Sequence, residues 1–494
     1  MRRKHDIIRQ YAVCTVVSSV LFGCASTQAP SIRPHYDNAL RSAVAFAGEA
    51  NTKMSLTDRM ARWKVPGVSV AIIDHCRIVE ARGFGIAGSN GQAVRAQTVF
   101  QAASVTKPVA AFAALRLVDK GVLSLDDDVN RHLQSWKIPN SPLLARHPVT
   151  LRGILSHSAG LIPGGYGGYE QGAPIPTLLQ TLNGVEPARP KPVEVAYTPE
   201  TEWRYAGGGY LVAQLLITEQ TDKSFDRLMR DEVFAPIGME HSGFEAPDRW
   251  NAASGHVANG SEVPGGWHVY PELAAAGLWS TAPDLARFGV AAMKAARHKP
   301  QALLSPEIAD LMTTAQIGLR SLGFVVGGEG RGRRFGHDGT NEGYNSSLIL
   351  YPATCQGAAI LTNSDNAKPL IAELLRSIAD AYGWPDSMAT PVVARTGLTS
   401  ALIGRFVGTY AFTDISGVNP FRIIPGEAGE GLIFDRGDGH REPLYATSEG
   451  LVGPDSGIII KAVSTGEGPA STIIYARIGG NGGAKADRIP DAAS

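Results

Sequence analysis

The sequence predicts an α+β fold, and three observations carry that prediction. β-Branched strand runs with turn signals lie near both ends of the first 390 residues, at 66–85 and again after 334. A helix with no polar face, residues 104–120, follows the first pair of runs. The long stretch between is helical and Gly/Pro-rich, without the regular strand–helix alternation of a parallel sheet.

The bulk numbers set the frame. The chain has 494 residues, 44% hydrophobic and 19% charged, enough for a sizeable core. Lys plus Arg equals Asp plus Glu at 46 each, so no net field attracts nucleic acid, and no nucleic-acid partner is expected.

The N-terminus has its own logic. Arg2, Arg3, Lys4 and Arg9 precede an apolar stretch, 11–22, that is too short to span a bilayer. Residues 1–24 therefore predict an export signal. Leu21-Phe22-Gly23-Cys24 resembles a bacterial lipobox, which implies lipidation of Cys24 and a cell-envelope or periplasmic location with a lipid anchor in the membrane. The alternative is an ordinary signal peptide that happens to contain a cysteine.

Further along, residues 36–62 read as helix, and 66–74 with 77–85 as a hairpin. Between 123 and 270, helical stretches at 151–155, 210–219 and 225–233 are separated by long connections, which suggests a helical insertion. The connection 163–199 is long enough to predict a wall of a substrate cleft. Residues 335–339, 345–351 and 357–362 read as strands. Asn366-Ala-Lys-Pro369 opens a helix with Leu370, Leu374, Ile378 and Tyr382 on one face. These features group into one domain over 36–390. Strand-like runs at 421, 432, 457 and 472 predict a small all-β domain over 398–480, and 481–494 is expected to be disordered.

The chemistry centres on Ser104-Val-Thr-Lys107. Residues at i and i+3 share a helix face, so the amine can reach the hydroxyl. Serine needs a neighbouring base to become a nucleophile, and burial favours the neutral, basic form of lysine. The spacing arises by chance about once in a chain of this size. Here it occurs once and opens the most apolar helix, where an unpaired charge is costly without a use.

Two further clusters, Tyr205-Ala-Gly207 and His337-Asp-Gly339, follow in order. With Ser104-x-x-Lys107 they resemble the three boxes, S-x-x-K, Y-x-N and K-T-G or H-x-G, of the class C β-lactamase and penicillin-binding-protein superfamily. PGVSVAIID, TVFQAASVTK, ILSHSAGL and AAAGLWSTAPDLARFG also look like family segments, and the resemblance runs from about 36 to 382. It implies a β-lactamase/transpeptidase-like fold: a five-stranded antiparallel sheet flanked by helices, beside a mostly helical subdomain. It implies a serine hydrolase acting through an acyl-enzyme on Ser104, with Lys107 and Tyr205 sharing acid and base work. Backbone N–H groups of Ser104 and Thr340 would form the oxyanion hole, and His337 would face the far end of the substrate. It also implies a disulfide between Cys76 and Cys355, because their turns belong to neighbouring strands.

Two departures bear on substrate. Gly207 stands where Y-x-N has asparagine, and His337 where K-T-G has lysine. Both point toward esters or D-amino-acid amides ahead of β-lactams, with β-lactamase, D-Ala carboxypeptidase and a catalytically silent binder as alternatives. A small molecule or peptide is the expected substrate, with no cofactor and no metal. Blander readings cover the rest: His157 as a structural histidine near a helix end, Asp126–Asp128 as a solvated turn, Arg333-Arg334 as an exposed strand start. Asp338 either orients His337 or points away. Tyr166 and Tyr169 either contact substrate or belong to a mobile surface loop.

Overall fold

The computed structural model describes residues 35–50, 52–247, 251–385, 389–413, 420–426, 431–437, 441–463, 468–478 and 483–490. The export signal and Cys24 lie outside the described residues.

The central sheet is built from both ends of the first domain. Strands β1 (Gly67–Asp74) and β2 (Arg77–Gly85) come from the front, and β3 (Val325–Gly327), β4 (Arg334–Asn341), β5 (Tyr344–Tyr351) and β6 (Gln356–Thr362) from the back. The order is β2-β1-β6-β5-β4-β3, antiparallel throughout. Five long strands match the resemblance; β3 adds a sixth that covers only the start of β4, pairing with Arg334–Gly336.

The sheet is apolar on both faces because helices cover both. Successive β1 side chains alternate: Val68, Val70 and Ile72 go to one side, Ala71 and Ile73 to the other. On the first side lie α1 (Leu56–Trp63) and the late helix Lys368–Tyr382, whose Leu370, Leu374 and Ile378 are fully buried. On the second side, Leu285, Phe288 and Ala292 of the helix Ala282–Ala296 cover the sheet, and α2 (Thr106–Asp119) lies in the same core. Every residue of α2 from Thr106 to Leu115 is buried, which is why its sequence shows no polar face. Gly121, at φ +70°, follows where the helix stops. The helix α3 (Gly207–Thr221) packs beside α2 and is as uniformly buried over its first three turns.

Three expectations need correction. Residues 36–62 are not one helix: a single 3₁₀ turn, Tyr36–Asn38, is followed by a short strand, Ala45–Phe46, and a turn, and α1 starts only at Leu56, capped by Ser55. The Ala-rich segment reads as helix by propensity, but Gly48 sits at φ +80° and Ala45–Phe46 pairs in parallel with Val392–Val393. Val44 and Phe46 pack instead against Val452 and Ile459 of the C-terminal domain. The connection 163–199 is likewise not bare loop, since Leu178–Asn183 is a helix opened by a capping box between Thr177 and Gln180.

The third correction concerns the tail. Eight strands, β7 (Gly408–Phe412), β8 (Phe421–Pro425), β9 (Leu432–Asp435), β10 (Arg441–Thr447), β11 (Gly450–Gly453), β12 (Ile458–Ala462), β13 (Thr472–Arg477) and β14 (Gly483–Ile489), form a closed barrel. Strand β14, expected to be disordered, pairs with both β13 and β7 and leaves no open edge. Its outward polar residues gave the tail-like composition, while Ala486 is fully buried inside. Tyr410, Phe421, Ile423, Ile460 and Ile473 fill the interior. Asp455 of the barrel reaches Arg59 of α1 at 3.0 Å, and Arg59 also holds the buried Glu373.

Cys76, in the β1–β2 turn, and Cys355, in the β5–β6 turn, are bonded as a disulfide with Cα atoms 4.9 Å apart. The Cys76 N–H donates to the Cys355 carbonyl at 3.0 Å, so the two turns are also tied through the backbone.

Candidate active site

Ser104 sits in the 3₁₀ turn Ala103–Val105 that leads into α2. Ala103 is fully buried in the left-handed region at φ +49°, a conformation that costs energy without glycine. The neighbours impose it: Thr106 Oγ1 donates to the Ala103 carbonyl at 2.5 Å and accepts the Leu278 N–H at 3.2 Å. The turn is therefore held from both sides, and Ser104 keeps partial exposure in a cleft of about 570 Å³.

Lys107 lies one turn on, with Nζ 3.1 Å from Ser104 Oγ. It donates to the Ala275 carbonyl at 2.6 Å. Only 2% exposed and without a carboxylate partner among the described residues, it has its pKa lowered from 10.5 by burial, with Tyr205 opposing that shift. A neutral amine that spends one N–H on Ala275 can turn its lone pair toward the serine proton.

Tyr205 Oη donates to Ser104 Oγ at 2.9 Å. The loop carrying Tyr205 is pinned by His157: Arg204 N–H bonds the His157 carbonyl at 2.9 Å, and Ala206 N–H bonds its Nδ1 at 3.1 Å. The two rings also lie 4.4 Å apart. Because Nδ1 accepts, Nε2 carries the proton; burial, then Lys107, keeps the ring uncharged. The structural reading of His157 holds, and its structural job is to position Tyr205.

The third box lies on β4. From His337 onward this strand has no partner on its outer side among the described residues, since pairing with β3 ends at Gly336, and that edge borders the cleft. Gly339 is where strand and serine turn touch. A Cβ there would meet Ser346 Oγ at 2.3 Å, the Ala102 carbonyl at 2.5 Å and Ser104 N at 2.9 Å, so no larger residue fits. Thr340 lines the cleft, and its Oγ1 donates to Asn345 at 2.9 Å. His337 Nδ1 donates to the Asp338 carbonyl at 2.6 Å. Burial pushes the His337 pKa down to about 3, so the ring is neutral across the physiological range. Asp338 does not orient it through its carboxylate, which accepts the Ser347 hydroxyl at 2.6 Å.

Gly207 begins α3, and its missing side chain has a physical cause. A Cβ there would stand 2.8 Å from Cε2 of Tyr166 and 3.0 Å from the Gly164 carbonyl. Tyr166, which lines the cleft, thus fills the space next to this position; Tyr169 is buried and lies away from the cleft lining. Asp126 pairs with Arg152 at 2.6 Å, and Asp128 caps a 3₁₀ turn, as suits a solvated turn. Of the pair expected at an exposed strand start, Arg333 is exposed ahead of β4, whereas Arg334, which begins the strand, is half-buried. Sequence reasoning missed the place in the cleft of Arg320, Lys368 and the Ala275 carbonyl, none of which belongs to the three boxes.

Among the described residues, no cluster of three or more His, Cys, Asp or Glu side chains could hold a metal ion. No helix among them is long and apolar enough to cross a membrane.

A covered sheet, a serine at the head of a buried helix, and a lysine and a tyrosine on its oxygen define an acyl-transfer class of site. The Beta-lactamase family model matches residues 55–382, and the chain belongs to that family. It is a serine hydrolase of the β-lactamase superfamily. Penicillin-binding protein 4 of Amycolatopsis lactamdurans is 26% identical over 370 residues, covering 69% of this chain and 93% of that protein. Esterase EstB of Burkholderia gladioli is 28% identical over 326 residues, covering 59% and 77%. In fold, the octameric penicillin-binding protein homologue from Pyrococcus abyssi superposes with a TM-score of 0.59 at 22% identity, over 87% of this chain and 98% of that one.

Proposed function

We propose that Ser104 is the nucleophile of an exported hydrolase that cleaves small esters or D-amino-acid amides through an acyl-enzyme. The observation that carries this reading is the placement of Ser104 Oγ within 3.1 Å of Lys107 Nζ and 2.9 Å of Tyr205 Oη.

In the proposed sequence, neutral Lys107 takes the Ser104 proton as Oγ attacks the substrate carbonyl. The oxyanion is received by the Ser104 and Thr340 N–H groups where β4 abuts the turn. As the tetrahedral intermediate collapses, the bond to the leaving group breaks, and Tyr205 delivers the proton while drawing one from Lys107. A water then enters the cleft, gives its proton back through the same pair, and releases the acid from Ser104.

Esters and D-amino-acid amides rank above β-lactams for two reasons. Gly207 supplies no side-chain amide for an acyl-amide group, and Tyr166 crowds the position. His337 supplies no positive charge for the carboxylate of a β-lactam. With a chromogenic short-chain ester and a chromogenic cephalosporin, purified protein should turn over the ester with a kcat/KM at least about a hundredfold higher. Cephalosporin turnover equal to or faster than ester turnover would reverse the ranking and restore β-lactamase or D-Ala carboxypeptidase chemistry.

Export through residues 1–24 and lipidation at Cys24 belong to the same reading. A Cys76–Cys355 disulfide suits an oxidising compartment. Mass spectrometry of the membrane-extracted protein should find an N-terminus at Cys24 carrying acyl chains. A mature N-terminus elsewhere, without lipid, would leave an ordinary secreted enzyme.

A further inference from the structure

A carboxylate without a partner stands directly behind one wall of the cleft. Glu272, the residue before the short helix Leu273–Ala276, is 1% exposed, and neither carboxylate oxygen has a hydrogen-bond partner among the described residues. Burial pushes its pKa up to about 7, and its own backbone N–H is the one group acting to lower it. Its place is fixed from two directions. Ala275 and Ala276, three and four residues on, line the cleft. Three tyrosines, Tyr166, Tyr169 and Tyr270, feel its charge. Tyr169 Oη accepts the Arg189 N–H at 3.1 Å, and Tyr270 Oη accepts the Glu342 N–H at 2.9 Å. Tyr166 Oη, buried like the carboxylate, has no partner among the described residues. Tyr166 is also the one of the three that lines the cleft.

The segment that carries Tyr166 is free to move. Tyr166 lies within Gly164-Gly-Tyr-Gly-Gly168. Gly168 is required by its φ of +69° and by the closeness of Tyr270. A Cβ at Gly165 or Gly167 would meet nothing within 4 Å, and neither residue has a positive φ. No steric demand places glycine at these two positions, and backbone freedom on both sides of Tyr166 is what they supply. On its other flank lies Gly207, whose added Cβ would stand 2.8 Å from Tyr166 Cε2. This wall therefore offers no amide for an acylated nitrogen, and has a carboxylate behind it instead. A lone buried carboxylate is costly unless a cation or several donors reach it. An ammonium ion brings a positive charge and three N–H groups. Lys107 does not serve, because its Nζ is engaged with Ser104 and the Ala275 carbonyl.

We propose that Glu272, uncovered when Tyr166 turns aside on Gly165 and Gly167, receives the free ammonium group of an aminoacyl substrate. The acyl portion is then an amino acid with an unblocked amine, and Glu272 is a specificity determinant. This deepens the acyl-enzyme reading above and rests on it for the position of the acyl group beside Gly207. The ammonium gains a charged partner in a site sheltered from water, where such a hydrogen bond is strongest.

The test compares two anilides of equal shape, the 4-nitroanilides of D-alanine and of isobutyric acid, in which a methyl group replaces the ammonium. The wild-type ratio of kcat/KM, D-alanine over isobutyrate, should fall about tenfold or more in E272Q. Intrinsic reactivity of the two anilides cancels in this comparison, and a general loss of structure lowers both rates and leaves the ratio in place. A ratio unchanged in E272Q overturns the proposal. Calorimetry with D-alaninamide reads the same recognition without turnover. Binding about tenfold weaker to S104A/E272Q than to S104A supports the proposal, and equal binding overturns it. In G165A/G167A the anilide ratio should fall several-fold, because the amine alone needs Tyr166 displaced; an unchanged ratio overturns the uncovering step. Labelling of Ser104 by a fluorophosphonate is followed separately, so failure of the catalytic reading and failure of the Glu272 assignment give different results.

Discussion

Ser104→Ala should lower ester turnover about ten-thousandfold or more and abolish covalent labelling by a fluorophosphonate. The size of the effect follows from what surrounds the oxygen. Two polar groups converge on Ser104 Oγ, and the two small hydroxyls beside the turn are engaged elsewhere. Thr106 Oγ1 is committed to the Ala103 carbonyl, and Ser346 Oγ to the Ala102 carbonyl at 2.7 Å. Lys107 keeps its Ala275 bond in the variant, and the turn stays clamped by Thr106, so the fold should survive. Thermal unfolding within a few degrees of wild type would show that the loss is chemical. Residual activity above about one per cent, or a fluorophosphonate adduct on another residue, would remove Ser104 from the role.

How much of this was visible beforehand depends on the range of the interaction. Ser104 and Lys107 are legible because their relation is local: three residues along a helix fix the geometry whatever the rest of the chain does. Tyr205 was not readable from its own surroundings and came through the ordered boxes of the resemblance. The devices that make the site work were invisible because they are long-range. His157 clamps Tyr205 from 48 positions away, and the Ala275 carbonyl holds Lys107 across a separation of 168. The crowding of Gly207 by Tyr166 is equally a product of folding. His337 shows the limit of residue identity as a guide. A histidine on sequence is partly charged near neutrality, whereas the burial that keeps this one neutral belongs to the sheet edge.

The fold divides along the same line. Runs such as 421–424 and 457–460 announced a β domain because their apolar residues are dense. Strand β14 did not, because only its alternate residues face inward and its neighbours Lys485, Asp487 and Arg488 look like a tail. Residues 39–47 misled in the opposite sense: alanines suited to a helix are held extended by docking against the barrel and the 392–393 segment.

Lys107→Met should separate activity from stability, and in opposite directions. Removing the base should cost about a thousandfold in kcat/KM, within the range of a well-placed general base. It should also make the protein more stable at neutral pH, and the sign can be worked out. Burial lowers the folded pKa of Lys107 below the ordinary 10.5, so over the interval between the two values the unfolded chain binds a proton that the folded chain refuses. Stability of the wild type therefore falls as pH drops from that ordinary value, until the folded pKa is reached. Methionine fills a similar volume and binds no proton. The advantage of the variant should be largest at neutral pH and vanish as pH rises past about 10.5. Denaturation midpoints of both proteins, measured from pH 7 upward, read this directly. In the same buffers, wild-type kcat/KM should rise with pH on its acid limb, because only the unprotonated amine can accept the serine proton. A variant less stable than wild type at pH 7, with a difference that does not change with pH, would mean that Lys107 is held charged and that its proton acceptor role belongs to Tyr205.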